Sequence, residues 1–547
     1  MSRKRERRPS LLAPIAVAIA LVGGIFWGRN IERVALNGDI RSIIKSIPQR
    51  PGQSNKISST LDLIEQRYLD EISFDSLSEK IIPEIVAQLD PHSAYIPAEQ
   101  MQRVNEPLEG EFDGIGVVFN MSTDTVIILN VISNGPSDKA GIVGRDRIIT
   151  INDSIVAGRK VSQDSIMRQL RGTRGTKVKL GIERSGLSEL LDIEVTRDKI
   201  PLHSVESAFM ITDKVAFIRL SQFSRTTHRE IKEHLLRLKA KGMESLILDL
   251  RNNAGGYLDQ AINLSNEFLA ANNLIVYTED RAGKQQKEYS NGKGAYQELP
   301  LVVLIDEGSA SSSEIFAGAI QDNDRGTIIG RRSFGKGLVQ EQIPYSDGSA
   351  IRLTIARYYT PTGRSIQKPY SLGEGDSYQE DIINRINNQE LFHADSIHFV
   401  DSLRKVTPGG KSVYGGGGIM PDVFIPVDTL NITPYYTKVM NRNILFRFTT
   451  EYADKHSAEL NAVKSVEELK ALLDSDKELV DEFIRYASRK GVRPSWGNIH
   501  TSRTLIEAQL RAYIGRSTPL GDDGFFINIY PIDNILQRGV EELTINE

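Results

Sequence analysis

The chain contains no cysteine. This excludes a disulfide framework and any thiolate metal site, and it leaves the redox compartment open. Neither sign of charge dominates: 67 lysines and arginines face 71 aspartates and glutamates, a net charge of −4. Nothing in that balance points to a polyelectrolyte partner, so nucleic-acid binding is not expected. The eight histidines lie outside any G-[DN]-S-G-G context, which disfavours a Ser–His–Asp hydrolase. Long apolar runs are also scarce. The exception is Leu11 to Gly28, 18 uncharged residues that follow the basic Met1–Arg8. Eighteen residues lie at the lower edge for a membrane span and exceed a usual signal core. Basic residues before the run hold the N-terminus in the cytoplasm and direct the remainder across. The expectation is an inner-membrane anchor with a periplasmic body; a cleaved signal peptide is the alternative.

What is present centres on residues 301–340. Leu301 to Ile305 (L-V-V-L-I) has the length and β-branched content of a buried strand. A Gly/Ser turn leads into Glu314–Gln321, where Ile315, Phe316, Ala319 and Ile320 share one helical face. Thr327–Gly330 reads as a second short strand, and Lys336 follows between two glycines. A serine on a strand-to-helix turn and a lysine between glycines suggest a nucleophile and its base. Two plainer readings compete. Ser311-x-x-Glu314 fits a capping box. Gly330-x4-Gly335-Lys336 matches most of a phosphate-binding loop, but Gly337 stands where that motif needs Ser or Thr. The segment Leu338–Ala356 also reads as two strands around Ser346-Asp347-Gly348, not as a helix.

The stretch closely resembles the carboxyl-terminal processing (tail-specific) serine proteases of peptidase family S41. The resemblance rests on Ser309-Ala310-Ser311-Ser312-Ser313-Glu314-Ile315 and on Phe334-Gly335-Lys336-Gly337-Leu338-Val339-Gln340. It implies Ser311 as nucleophile, Lys336 as base and Gln340 as the lysine's support. Ser312 stands where the family often has alanine. Asp322 is also singled out and reads as structural support, since a carboxylate beside the lysine would keep it charged. The chemistry is coherent without the family. A serine hydroxyl needs a neighbouring base, and a lysine serves only when burial brings its pKa down from about 10.4 toward 7–8.

The same resemblance organises the rest of the chain. Leu89-Asp90-Pro91-His92-Ser93-Ala94-Tyr95 is similar to the segment that precedes the PDZ domain in this family, with His92 read as a turn residue. Gly110 to about Arg197 resembles a PDZ domain. The resemblance implies that Gly114, Ile115, Gly116 and Val117 form its carboxylate-binding loop and that Ile166–Leu170 lies on its groove helix. Backbone N–H groups in such a loop capture a peptide C-terminus while the next strand pairs with the peptide. From Pro201, strands alternate with helices: Val215–Leu220, Thr226–Ala240, Ser245–Leu250 and a helix from Leu258. That alternation indicates an α/β core. In Asp249-Leu250-Arg251-Asn252-Asn253-Ala254-Gly255-Gly256 the resemblance implies an oxyanion hole from the Gly255–Gly256 pair and the N–H of Ser312. Tyr358 to Gln367 matches the family as well. The G-I-x-P-D segment that usually follows soon after comes only at Gly418–Asp422, so Lys368–Tyr414 reads as an insertion of unassigned role, and Val423–Val427 as a closing strand.

The expected architecture is multidomain α/β: a crotonase- or ClpP-like protease core with an inserted PDZ domain and helical regions at both ends. Its parts are residues 1–29 (basic tip and anchor), 30–107 (helical), 108–197 (PDZ), 198–430 (core) and 431–547 (helical, with Leu479–Ser488 and Thr504–Tyr513 as amphipathic helices). The expected activity is serine endopeptidase cleavage near C-termini, with no cofactor and no metal. Partners are protein substrates with unstructured C-terminal tails, the membrane, and in one reading a second copy of the chain. The rival is a catalytically inactive PDZ scaffold on a protease fold.

Overall fold

In the computed structural model the described residues are 56–545, apart from 122, 123, 133, 376, 377 and 379. The apolar run Leu11–Gly28 therefore lies outside them. Among the described residues no helix is long and apolar enough to cross a membrane. Two compact units emerge. One comprises the described part of 1–103 with Gln340–Thr354 and Tyr370–Tyr378; the other comprises Val104–Val339, Ile355–Pro369 and 379–545.

The larger unit holds the core sheet and the PDZ domain. In the PDZ domain, strands β1 (Val117–Asn120), β2 (Val126–Val131), β3 (Arg147–Ile151), β4 (Lys177–Glu183) and β5 (Leu191–Thr196) lie side by side in the order 1-2-3-4-5. The helix α1 (Gln163–Leu170) turns Ile166 and Leu170 into the same apolar cluster as Ile115, Ile128 and Ile148. Strand β1 is an edge strand, so among the described residues one side of its backbone has no strand neighbour within the sheet.

The core sheet runs β6 (Val205–Met210), β7 (Val215–Leu220), β8 (Ser245–Asp249), β9 (Leu301–Ile305), β10 (Thr327–Gly330) and β11 (Val423–Phe424) in that spatial order. Only β6 is antiparallel to its neighbour; β7 to β11 are parallel. Parallel neighbours require crossovers, and helices α2 (Thr227–Ala240), α3 (Leu258–Phe268) and α4 (Ser312–Asp322) supply three of them. Side chains alternate along each strand. Ala216, Ile218, Leu246, Leu248, Val303 and Ile305 pack against these helices. Phe217, Ile247, Val302 and Leu304 face the helix Asn534–Thr544 through Ile535, Leu536 and Val540. Both faces are covered, which is why β9 reads as an unbroken apolar run.

The expected closing strand is shorter in the structure. β11 ends at Phe424, although the Ile425 N–H still donates to the Gly330 carbonyl at 2.8 Å. Pro426 has no N–H with which to extend the ladder. The insertion carries structure of its own: a helix α5 (Asp381–Asn387) and a hairpin of Arg404–Val406 with Ser412–Tyr414. The C-terminal region is helical, with its own cluster around Phe448, Phe483 and Ile506. Trp496–Arg516 is a single helix that extends well beyond Thr504–Tyr513.

In the smaller unit the Asp90 carboxylate organises the turn at residues 90–95. It accepts from the His92 N–H (2.9 Å), the Ser93 N–H (3.0 Å) and hydroxyl (2.5 Å), and the Thr354 hydroxyl (3.0 Å). Ala94–Ile96 then pairs antiparallel with 350–352.

Candidate active site

Because β8, β9 and β10 are adjacent and parallel, the loops leaving their carboxyl ends emerge at one edge of the sheet. That edge is where open α/β sheets place their ligands. The β8 loop brings Gly255 and Gly256, the β9 loop Ser311 and Ser312, and the β10 loop Lys336. Backbone contacts join the first two loops. The Ala310 N–H donates to the Asn253 carbonyl at 2.9 Å, as does the Ser313 hydroxyl at 2.8 Å, and the Ser312 hydroxyl donates to the Gly256 carbonyl at 2.9 Å. The third loop is tied in by the Phe334 N–H on the Ser309 carbonyl at 2.9 Å.

Ser311 has φ +53° and ψ −115°, a backbone region that side-chain-bearing residues rarely occupy. Such strain costs on the order of 1–3 kcal/mol and persists where surrounding structure enforces it. A serine on a sharp strand-to-helix turn presents its hydroxyl outward, the logic of a nucleophile elbow. Ser311 and Glu314 stand in a capping-box arrangement, but only the half from the Ser311 N–H to the carboxylate is a hydrogen bond of good geometry; no helix N–H reaches the Ser311 hydroxyl that closely.

Glu314 does much more than cap. Its fully buried carboxylate accepts from the Ser311 N–H (2.8 Å) and the Lys336 N–H (2.9 Å) on one oxygen. The other oxygen takes the Gly335 N–H (2.7 Å) and the Ser333 hydroxyl (2.5 Å). Burial pushes the Glu314 carboxyl above its ordinary range, while the bonds from Ser333, Lys336, Gly335 and Ser311 pull the other way. The buried Tyr358 hydroxyl donates toward the Ser311 carbonyl at 3.2 Å and also to the Lys336 carbonyl. Two side chains thus span the backbones of residues 311 and 336. Both residues remain partly exposed.

Two glycines are required by geometry. Gly335 sits at φ +91°, and a Cβ there would lie 3.1 Å from the Gly418 nitrogen. Gly255 sits at φ +98°, where a Cβ would lie 2.8 Å from the Ser311 Cβ and 2.9 Å from the Ser312 nitrogen. The Gly255 N–H donates to Asn253 Oδ1 at 2.9 Å and is therefore committed. The N–H groups of Gly256 and Ser312 have no hydrogen-bond partner among the described residues.

Gln340 belongs to the smaller unit, where its amide donates to the His92 carbonyl at 2.5 Å. The His92 ring bonds to the Tyr378 hydroxyl at 2.9 Å. Asp322, at the end of α4, pairs with Arg364 at 2.7 Å and accepts the Thr362 hydroxyl at 2.7 Å, a supporting position. Lys336 leads directly into the strand Leu338–Pro344, as a phosphate-loop lysine would not.

In the PDZ domain, Gly114 ends a strand paired with Asp198–Pro201, and Ile115 and Gly116 form the turn into β1, which begins at Val117. The Ile115 and Gly116 carbonyls accept from the Ser137 and Ile132 N–H groups at 3.0 Å each. The N–H groups of Ile115 and Gly116 have no partner among the described residues.

Peptidase family S41 matches residues 214–373, a PDZ domain matches 114–195, and a family of unknown function (DUF8443) matches 435–518. The carboxy-terminal-processing protease of Bartonella bacilliformis is 35% identical over 359 residues, 64% of this chain and 80% of that protein. The carboxy-terminal processing protease CtpA of Bacillus subtilis is 34% identical over 330 residues, 59% of this chain and 69% of that protein. Among solved structures, the PDZ domain of a carboxy-terminal protease from Vibrio cholerae, in complex with peptide, is 30% identical. It covers 17% of this chain and 99% of that domain, with a TM-score of 0.16. The chain belongs to the carboxy-terminal processing proteases, the serine peptidases of family S41 that carry a PDZ domain.

Sequence reasoning saw Glu314 only as a cap and gave Tyr358 no role. The S-x-x-E spacing and the Tyr358–Gln367 match were the available signals.

Proposed function

We propose that the chain cleaves protein substrates near their C-termini through a Ser311–Lys336 dyad, with the PDZ domain holding the substrate tail. The observation that carries this reading is the Glu314 carboxylate, which binds the Ser311 and Lys336 N–H groups on a single oxygen at 2.8 and 2.9 Å. A residue that only capped a helix would have no reason to gather the lysine-bearing loop as well.

The neutral Lys336 amine takes the Ser311 hydroxyl proton as the oxygen attacks the scissile carbonyl. Negative charge on the carbonyl oxygen is met by the N–H groups of Ser312 and Gly256. With the Gly255 N–H committed to Asn253, the glycine donor of the pair narrows to Gly256. The Lys336 ammonium returns its proton to the departing amine, leaving an acyl-Ser311 ester. A water deprotonated by the same amine then releases the acid and restores Ser311. The supporting role of Gln340 is the one that the family resemblance implies. A substrate carboxylate binds the Ile115–Gly116 turn, and its backbone pairs with the open edge of β1 between that strand and α1.

The test is turnover of an unfolded reporter with a free apolar C-terminus. Ser311→Ala and Lys336→Ala should each abolish cleavage while tail binding persists. Cleavage retained by either variant would overturn the dyad, and a parent chain that binds tails but never cleaves would favour the scaffold reading.

A further inference from the structure

Part of Lys368–Tyr414, the segment read from the sequence as an insertion, lies against the loop that carries Lys336. Arg385, on helix α5 of this insertion, is 2% exposed. Its guanidinium donates to the Ser333 carbonyl at 2.8 Å, the Phe334 carbonyl at 3.1 Å and the Arg332 carbonyl at 3.3 Å. Asp381, one helical turn earlier, neutralises it at 2.9 Å and also pairs with Lys368 at 3.1 Å. Lys368 sits 4.0 Å over the Phe334 ring, and its N–H donates to the Gly335 carbonyl at 3.0 Å.

The loop is therefore gripped from two chemically opposite sides. Glu314 takes its N–H groups at Gly335 and Lys336, and the insertion takes its carbonyls at residues 332 to 335. A planar guanidinium is suited to the second task, because its fixed fork of donors reaches several carbonyl oxygens at once. Three successive carbonyls converging on one buried cation fix the path of the backbone just before Lys336.

We infer that Arg385 is a positioning residue for the peptidase reaction: the insertion uses its guanidinium to hold residues 332–335 so that Lys336 stands in register with Ser311. The inference rests on the dyad reading and gives the insertion a task in catalysis. Arg385 acts through the loop backbone and touches no substrate.

The experiment compares Arg385→Ala and Arg385→Lys with the parent in the full chain, using the apolar-tail reporter, with Ser311→Ala and Lys336→Ala in parallel. Misplacement of a base costs on the order of 100-fold in rate. Arg385→Ala should thus lose about 10- to 100-fold in kcat with KM and tail affinity within about twofold. Arg385→Lys should fall in between, and millimolar ethylguanidinium should restore part of the Ala variant's kcat. Parent-like kcat in Arg385→Ala overturns the inference. So does a loss of kcat that tracks lost tail affinity and melting temperature without guanidinium rescue. If Arg385→Ala does not fold, Arg385→Lys decides: reduced kcat at unchanged KM supports the inference and parent-like kcat refutes it. Failure of the dyad itself shows separately, as activity surviving in the Ser311 or Lys336 variants.

Discussion

Replacing Glu314 tests the site from its centre. The carboxylate receives four hydrogen bonds, from the N–H groups of Ser311, Gly335 and Lys336 and from the Ser333 hydroxyl. Gly335 and Ser333 are buried, so after Glu314→Ala at least their two donors are left without a partner. An orphaned buried donor costs about 1–3 kcal/mol, so the two together cost about 2–6 kcal/mol. That is a large share of the roughly 5–15 kcal/mol that keeps a domain folded. Glu314→Gln is the more informative variant. It keeps the volume and one acceptor oxygen but turns an NH2 group toward backbone donors, so about half the bonds are lost. Its denaturation midpoint should fall by the equivalent of about 1–3 kcal/mol. Freed from its clamp, the Lys336 loop should move enough to cut kcat about 100-fold, which corresponds to about 2.7 kcal/mol of barrier. The assay pairs chemical denaturation with kcat and KM on the unfolded reporter, and tail binding serves as a control for the PDZ domain. A Glu314→Gln protein with parent stability and parent kcat would refute the argument that this carboxylate joins nucleophile and base.

Three further outcomes are expected. Gly255→Ala should lose most of its kcat, because the new methyl would press on Ser311 Cβ and the Ser312 nitrogen at 2.8 and 2.9 Å; a fully active variant would show that this approach is unimportant. Amidating the reporter's C-terminus should raise KM about 10- to 100-fold at constant kcat, the equivalent of losing a charge-assisted hydrogen bond of about 1.5–3 kcal/mol; unchanged KM would count against tail capture. Asp249 is fully buried. Burial alone would raise its carboxyl, but Arg251 and Arg219, each at 2.7 Å, outweigh it and hold the pKa below the usual 3.8. Its contribution to stability is therefore complete above the unfolded pKa and disappears as pH falls through the lowered folded value. Asp249→Asn should cost about 3 kcal/mol at neutral pH and flatten the acid limb of the stability curve; an unchanged limb would assign that dependence elsewhere.

The sequence by itself determined the parts. The apolar run Leu301–Ile305 became a strand with the expected bounds, because a strand buried on both faces needs uninterrupted apolar side chains. Helix α4 was legible from Ile315, Phe316, Ala319 and Ile320. Its complete burial was not, since Ser313, Glu314 and Asp322 are shielded by loops distant in sequence. The motifs around Ser311, Lys336 and Gly255–Gly256 announced a chemistry, but spacing along the chain carries no distance through space. Only the tertiary structure brought the three loops to one sheet edge, by aligning β8, β9 and β10 in parallel. It also closed Glu314 around two loops at once, and set Arg385 of an otherwise silent insertion against the lysine-bearing turn. These are contacts between residues 20 to 70 positions apart. Local pattern specifies an element because its forces act within a few residues, whereas a buried hydrogen bond across loops exists only once the sheet has set both ends in place.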